Sequence, residues 1–394
     1  MKILLVHNYY RSGAPGGEDI VFEQERDLLI EAGHEVHCYT RSNDEMDEHS
    51  IADRLRVVSG MQRSRRTVRE LLKVLRRFRP DVAHFHNVFP LISASAYEVC
   101  HSERVPVVQT IHNFRLSCST ATHFKDGQVC ELCTPGDPWA AVRHRCYRGS
   151  RLASLAVAAT LFRNDASHVY RRCVSKFITL TNFAAHRLIA AGIPEALVTV
   201  KPNFVADLSS EHAQASGHNS FVFAGRLSPE KGVQFLLDSW ETVGDVPLTI
   251  VGDGPLRDDL ERLVRRMLLP VTFRGPLNRA DLSAVFREAR AVIVPSMWFE
   301  GGVPLTILES MTVGTPVIAS RIGGIPELID HETDGLLFDP GDRDGLIAAV
   351  QRINSDDGLR RHMGLSGREK VRLHHDPEVN LRALIAVYES AMGA

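Results

Sequence analysis

The stretch Phe223-Ala224-Gly225-Arg226-Leu227-Ser228-Pro229-Glu230-Lys231-Gly232 runs from an apolar strand into a turn rich in glycine and cations, then into a helical pattern. In a parallel sheet, the carboxyl end of a strand opens toward the ligand side. The first turn of the next helix offers free amides and the positive end of its dipole to an anion. Arg226 and Lys231 add charged hydrogen bonds for a diphosphate and can stabilise the charge it gains on leaving. Taken alone, the stretch is equally well a surface turn with solvated charges.

Working outward, apolar runs at 221–224, 248–251, 271–273, 291–294 and 316–319 read as strands, each followed by a helical stretch. The first half repeats the theme. Strands are expected at 3–7, 35–39, 81–86 and 105–110, with the glycine-rich loop 12–18 between the first strand and a helix. Strands alternating with helices give an α/β fold with parallel sheets. A chain of 394 residues is too long for one ordinary core and fits two domains of about 200 residues.

The polar segment 209–218 lacks apolar periodicity and reads as the interdomain linker. The expected organisation is an N-terminal domain over 1–205 with an insert at about 113–150, a second domain over 206–376, and a terminal helix, 377–394, packed back on the first domain.

The formal net charge of −2 argues against nucleic acid as a partner. No stretch approaches the roughly 18 apolar residues of a membrane span, and the apolar opening is too short for a signal peptide, so a cytoplasmic protein is expected. No GxGxxG opens a strand-to-helix turn, which disfavours a nicotinamide-dependent oxidoreductase.

Three motifs then occur in order: GRLSPEKG at 225–232, VGDGPLR at 251–257 and WFEGGVPLTILESMTVGTPVIAS at 298–320. With GGED, GHEV, PDVAHFHN, QTIHNFR, TNFAAHRLIAAGIP and KPNF earlier in the chain, they resemble the family 4 glycosyltransferases across nearly its whole length. The resemblance implies the GT-B fold: two facing Rossmann-like domains with a cleft between them. It also implies a retaining transferase that moves a sugar from a nucleotide diphosphate, UDP or GDP, to a hydroxyl acceptor without a metal. The leaving phosphate helps to deprotonate the attacking hydroxyl.

By the same resemblance, Glu300 touches the transferred sugar and Glu309 the ribose hydroxyls, a task suited to a carboxylate that accepts two hydrogen bonds at once. Eight residues separate these glutamates, one more than the family pattern, and the extra residue is assigned to the turn Gly301-Gly302. Backbone around Gly302, Val303 and Pro304 faces the diphosphate or sugar, with Leu305 and Thr306 opening the next helix. Gly225 lets backbone approach the donor, as do Gly16 and Gly17 in the first domain. His112 matches the cleft histidine that contacts sugar hydroxyls. The catalytic set is thus His112, Arg226, Lys231 and Glu300. Rival readings are a nucleotide-sugar epimerase of the same architecture and a noncatalytic sugar-nucleotide binder.

Three features stand outside this set. Cys118, Cys130, Cys133 and Cys146 are either a structural zinc site, which the CxxC step supports, or reduced thiols packed in a loop. His84 and His86 share one strand face and suggest a metal, though they also fit an ordinary strand end. Arginines from Arg54 to Arg79 surround the stripe Val68, Leu71, Leu72, Leu75 and Phe78. That run is either a helix packed on its own sheet or a peripheral contact with an anionic membrane, at the inner surface if the protein is cytoplasmic. Asp342-Arg343-Asp344 reads as a helix start rather than a metal-binding triplet.

Overall fold

Along the first strand, Ile3 and Leu5 enter one apolar cluster and Leu4 and Val6 another, and all four are fully buried. A strand covered on both faces reads as a continuous apolar run, and it belongs to a parallel sheet between two helical layers. The computed structural model describes residues 1–13, 16–46, 50–134, 136–206 and 220–393, and of residues 51–55 the backbone alone.

The strands are β1 (Lys2–Tyr9), β2 (Glu35–Ser42), β3 (Val82–Phe85), β4 (Val107–Ile111), β5 (Phe124–Lys125), β6 (Gln128–Val129), β7 (Lys176–Thr179) and β8 (Val198–Val200). They continue with β9 (Ser220–Ala224), β10 (Leu248–Val251), β11 (Val271–Gly275), β12 (Ala289–Val294), β13 (Val317–Ser320) and β14 (Gly335–Phe338). Two all-parallel sheets result among the described residues, ordered β2-β1-β3-β4-β7-β8 and β11-β10-β9-β12-β13-β14, beside the small antiparallel hairpin β5-β6. These are the two Rossmann-like sheets of the GT-B fold.

The chain divides into two units. The first comprises Met1–His123, Glu131–Pro202 and Leu381–Ala394, and the second Phe124–Cys130 and Asn203–Asn380. In the first, the terminal helix Pro377–Met392 contributes Leu384, Val387, Tyr388 and Ala391 to the cluster under β1. In the second, Phe221 and Phe223 face one cluster around Trp240 and Val222 faces the other around Ile307 and Met311. The hairpin, part of the segment sequence reading treats as an insert of the first domain, groups with the second unit.

The linker segment 209–218 and two residues of the loop 12–18, at 14 and 15, lie outside the described residues.

The basic run is two helices, Ile51–Gln62 and Arg65–Phe78, rather than one. Ser64 ends the continuity: its hydroxyl accepts from Thr67 N at 3.3 Å and so caps the second helix. Leu71 and Leu75 of that helix are buried in its own unit's core, with Val68 and Leu72 packed against it. Asp342 caps the helix Arg343–Ser355 by accepting from Gly345 N at 3.0 Å.

Candidate functional site

In both parallel sheets the strand order reverses beside the first strand, between β1 and β3 in the first unit and between β9 and β12 in the second. Ligands of open α/β sheets bind outside the carboxyl ends of the strands at such points, because the diverging loops leave a crevice there. The expected residues fall into two groups, one in each unit.

In the second unit, the turn after β9 is fixed by close backbone approach. Gly232 has φ +70°, and a Cβ there would collide with the Pro295 carbonyl. Gly252, at φ +123°, would strike the Gly225 carbonyl in the same way. Only glycine meets both demands. The turn thereby sets Lys231 against the loop after β12: its Nζ donates to Glu300 Oε1 at 2.8 Å and to Oε2 at 3.1 Å. Ser296 donates to Glu300 Oε1 at 2.6 Å, and Lys231 Nζ sits 5.0 Å from the centre of the Trp298 ring. Glu300 is buried while Arg226 is exposed at the turn. Gly301-Gly302-Val303-Pro304 then leads into the helix Leu305–Thr312, with the Val303 side chain in the core, so only its backbone faces outward chemistry.

Glu309 lies on that helix, buried, with Arg279 Nε 3.8 Å from its carboxylate. Burial raises its pKa to about 7, and Arg279 opposes the rise only in part. Nε and Nη2 of Arg279 are buried without a hydrogen-bond acceptor among the described residues, a costly arrangement that an incoming acceptor would relieve. Sequence reading missed Arg279, whose only signal is its place at the start of the helix Arg279–Arg287.

In the first unit, Gly16 begins the helix Gly17–Glu31, and its N–H donates to Asp19 Oδ2 at 2.9 Å. The other oxygen of Asp19 lies 2.8 Å from His7 Nε2, so β1 and its following loop are tied together by one buried carboxylate. Beside it the buried Glu18 accepts from Asn113 Nδ2 at 3.2 Å, and burial raises its pKa. Glu18, His86, His112, Asn113 and Arg115 line one pocket. His112, just past β4, pairs its Nε2 with His86 Nδ1 at 2.9 Å. Burial, then the neighbouring His86, holds the His112 pKa well below its ordinary value. Glu18, Asn113 and Arg115 were legible only as part of the GGED and QTIHNFR motifs.

His84 and His86 gather with Glu25, their ligand atoms all within 4.8 Å of one another. A cation is already there: Lys201 Nζ is 2.7 Å from Glu25 Oε1, both side chains buried. The group is an internal ion pair with two imidazoles around it, in keeping with the ordinary strand end. Of the four cysteines, Cys118 is buried with Sγ 3.2 Å from Thr120 Oγ1, and Cys130, Cys133 and Cys146 are half-buried. Among the described residues they do not form a comparable ligand group.

Residues 15–207 match the family model described as Glycosyltransferase Family 4, and residues 218–356 the one described as Glycosyl transferases group 1. An uncharacterised glycosyltransferase of Methanocaldococcus jannaschii is 31% identical over 43% of this chain, a match that spans 45% of that protein. A glycogen synthase of Mycobacterium tuberculosis is 26% identical over 92% of this chain and 80% of its own length. Among solved structures, Anabaena HepE in complex with UDP-glucose superposes with a TM-score of 0.69 over 99% of this chain and 100% of that one, at 18% identity.

Proposed function

Because the chain belongs to the family 4 glycosyltransferases, we propose that it transfers a sugar from a nucleotide diphosphate carrier to a hydroxyl acceptor with retention of configuration. The observation that carries this reading is the buried Glu300 held by Lys231 and Ser296 at the carboxyl ends of β9 and β12. A lysine and a carboxylate so placed divide the labour. Lys231 turns to the diphosphate, with Arg226, and Glu300 accepts hydrogen bonds from the sugar. Gly225 and the backbone of Gly302 to Thr306 approach the phosphates, and Glu309 with Arg279 takes the ribose. Gly16, Gly17 and His112 keep the nucleotide-sugar roles that the family resemblance implies for them. The leaving diphosphate takes the proton of the attacking hydroxyl, so the reaction calls for no metal.

The donor is a UDP- or GDP-sugar in this reading; the solved relative that holds UDP-glucose favours UDP. A thermal-shift screen across UDP-, GDP-, ADP- and TDP-sugars tests it, since a ligand bound by the folded state alone stabilises it by mass action. One base should stand out, and an equal lack of shift with all four contradicts the reading. Zinc in the cysteine segment would be structural. Metal analysis of unchelated protein decides it, stoichiometric zinc supporting the metal and its absence supporting packed thiols.

No helix among the described residues is long and apolar enough to cross a membrane. Peripheral contact has a specific surface. The helix Arg151–Ala166 leaves Leu152 79%, Leu155 43% and Phe162 53% exposed at helical spacing, and Trp139, 38% exposed, lies against Phe162 with ring centres 5.6 Å apart. Arg151 and Arg163 on that helix, and Arg143, Arg145 and Arg148 before it, are exposed. An apolar stripe among arginines suits an anionic lipid surface. The earlier basic helix, Arg65–Phe78, spends its apolar stripe on its own core.

A further inference from the structure

Behind His112 lies a chain of contacts that the proposed chemistry does not use. Lys201 Nζ is 2.7 Å from Glu25 Oε1, Glu25 Oε2 is 3.4 Å from His86 Nε2, and His86 Nδ1 is 2.9 Å from His112 Nε2. Lys201, Glu25 and His86 are buried. Among the described residues Glu25 Oε2 and His86 Nε2 have no other hydrogen-bond partner, and the 3.4 Å between them is shorter than the 3.8 Å from Glu25 Oε2 to His84 Nδ1. His84, the remaining imidazole near Glu25, is already satisfied by Tyr388 OH at 2.8 Å and Thr110 Oγ1 at 2.7 Å.

This arrangement has a polarity. An ionised carboxylate only accepts, so the proton on His86 belongs on Nε2, toward Glu25. A neutral imidazole carries one proton, which leaves His86 Nδ1 as an acceptor. The facing Nε2 of His112 must then donate. A neutral His112 that donates through Nε2 has a bare Nδ1.

We propose that Glu25 is a positioning residue which, through His86, fixes His112 as the tautomer with an unprotonated Nδ1, an acceptor for a hydroxyl of the donor sugar. The charge states agree with this. Burial would raise Glu25, but Lys201 and the two imidazoles hold it well below the usual carboxylate range. Burial lowers both His86 and His112 and keeps the rings neutral. The consequence is selectivity for a free hydroxyl at the sugar position that meets His112. An O-methyl group there has no proton to give and leaves the nitrogen unpaired.

The role of His112 toward sugar rests on the glycosyl-transfer reading, whereas its tautomer is measured on the ligand-free protein and fails separately. Long-range proton–nitrogen NMR on histidine-labelled protein, with His112→Asn to assign the signal, should show the proton on Nε2. A proton on Nδ1, or a doubly protonated ring at neutral pH, overturns the proposal. Glu25→Gln keeps an oxygen for Lys201 and turns an N–H toward His86, reversing both rings. His112 should then carry its proton on Nδ1, with turnover down at least tenfold, while Glu25→Asp keeps the wild-type tautomer. An unchanged His112 signal in Glu25→Gln contradicts the relay. If that variant does not fold, His86→Phe cuts the relay one step later and should give a mixture of tautomers; a single wild-type signal again overturns it.

Discussion

Lys231 and Glu300 are 69 residues apart in the chain, yet Lys231 Nζ bonds both oxygens of the Glu300 carboxylate, at 2.8 and 3.1 Å. Each holds the other where a donor diphosphate and its sugar would arrive. Glu300→Gln keeps the shape and the Ser296 contact but removes the charge. The loss expected in turnover is ~1.5–3 kcal/mol, that of a charged hydrogen bond, or roughly ten- to hundredfold. Steady-state kinetics check it, and a variant within twofold of wild type would remove Glu300 from the sugar site.

Glu309 gives a pH signature. Its pKa is raised to about 7, so it is protonated below that pH and ionised above it. A ribose that needs the carboxylate as acceptor should bind more tightly as pH rises through about 7, with affinity falling up to tenfold per unit on the acid side. In the ligand-free protein the sign is opposite: stability present at pH 4.5 is lost as pH rises through about 7, because ionising a buried acid is unfavourable. Calorimetric titration of the donor from pH 5.5 to 8.5 reads the first effect, and Glu309→Gln should flatten it. A slope that survives in that variant assigns the titration elsewhere.

Arg279→Gln should weaken donor binding through the lost guanidinium donors, whose Nε and Nη2 are buried without a hydrogen-bond acceptor among the described residues. The change expected is ~1.5–3 kcal/mol in the donor dissociation constant. It should also raise the Glu309 pKa above about 7, because Arg279 is the group that lowers it. Unaltered donor affinity would leave Arg279 a structural residue.

Gly252→Ala and Gly33→Ala separate strain from collision. Both glycines have positive φ, +123° and +81°, but the space around Gly33 is open whereas Gly252 abuts the Gly225 carbonyl. The Gly33 variant should lose about 1 kcal/mol. The Gly252 variant should lose roughly 2–3 kcal/mol and distort the phosphate turn. Equal losses in urea denaturation would mean the two loops are not distinguished by close approach.

The stripe on the helix Arg151–Ala166 is tested with vesicles. Leu152→Glu with Leu155→Glu should cut flotation with phosphatidylglycerol vesicles at least tenfold and leave the melting temperature unchanged, since both side chains are exposed. The Trp139 emission of wild type should shift to the blue on binding. Undiminished flotation, or a dimer that the double variant dissociates, would point away from a lipid surface.

The core strands were legible because they are buried on both faces, and Phe221 to Ala224 or Ile3 to Val6 leave no polar position to confuse the period. Three strands of the parallel sheets were passed over: β7 (Lys176–Thr179) and β14 (Gly335–Phe338), which are short although buried, and half-buried β8, with Val198, Thr199 and Val200. Of the site, Lys231, Glu300 and Glu309 were legible as members of motifs. Glu25 was not, and Lys201, though it opens the KPNF motif, carried no assigned role. They pair across 176 residues, and locally one looks like an ordinary helix charge and the other like a loop lysine. The basic stretch was misread as one helix because arginines lie on both sides of Ser64, Arg63 before it and Arg65 and Arg66 after it, and hide the cap.

The central claim is that the turn after β9 works on a leaving diphosphate. Its most direct test is release of nucleoside diphosphate from UDP-, GDP-, ADP- and TDP-sugars by wild type, Arg226→Ala and Lys231→Ala, with water as the acceptor when no other is supplied. At least one donor should be cleaved by wild type. Lys231→Ala should lose ~2.7–4 kcal/mol of barrier lowering, a factor of about a hundred to a thousand, with the fold intact by circular dichroism. Arg226→Ala should fall in the same direction. Cleavage of no donor by wild type, or a folded Lys231→Ala within twofold of it, would contradict the account.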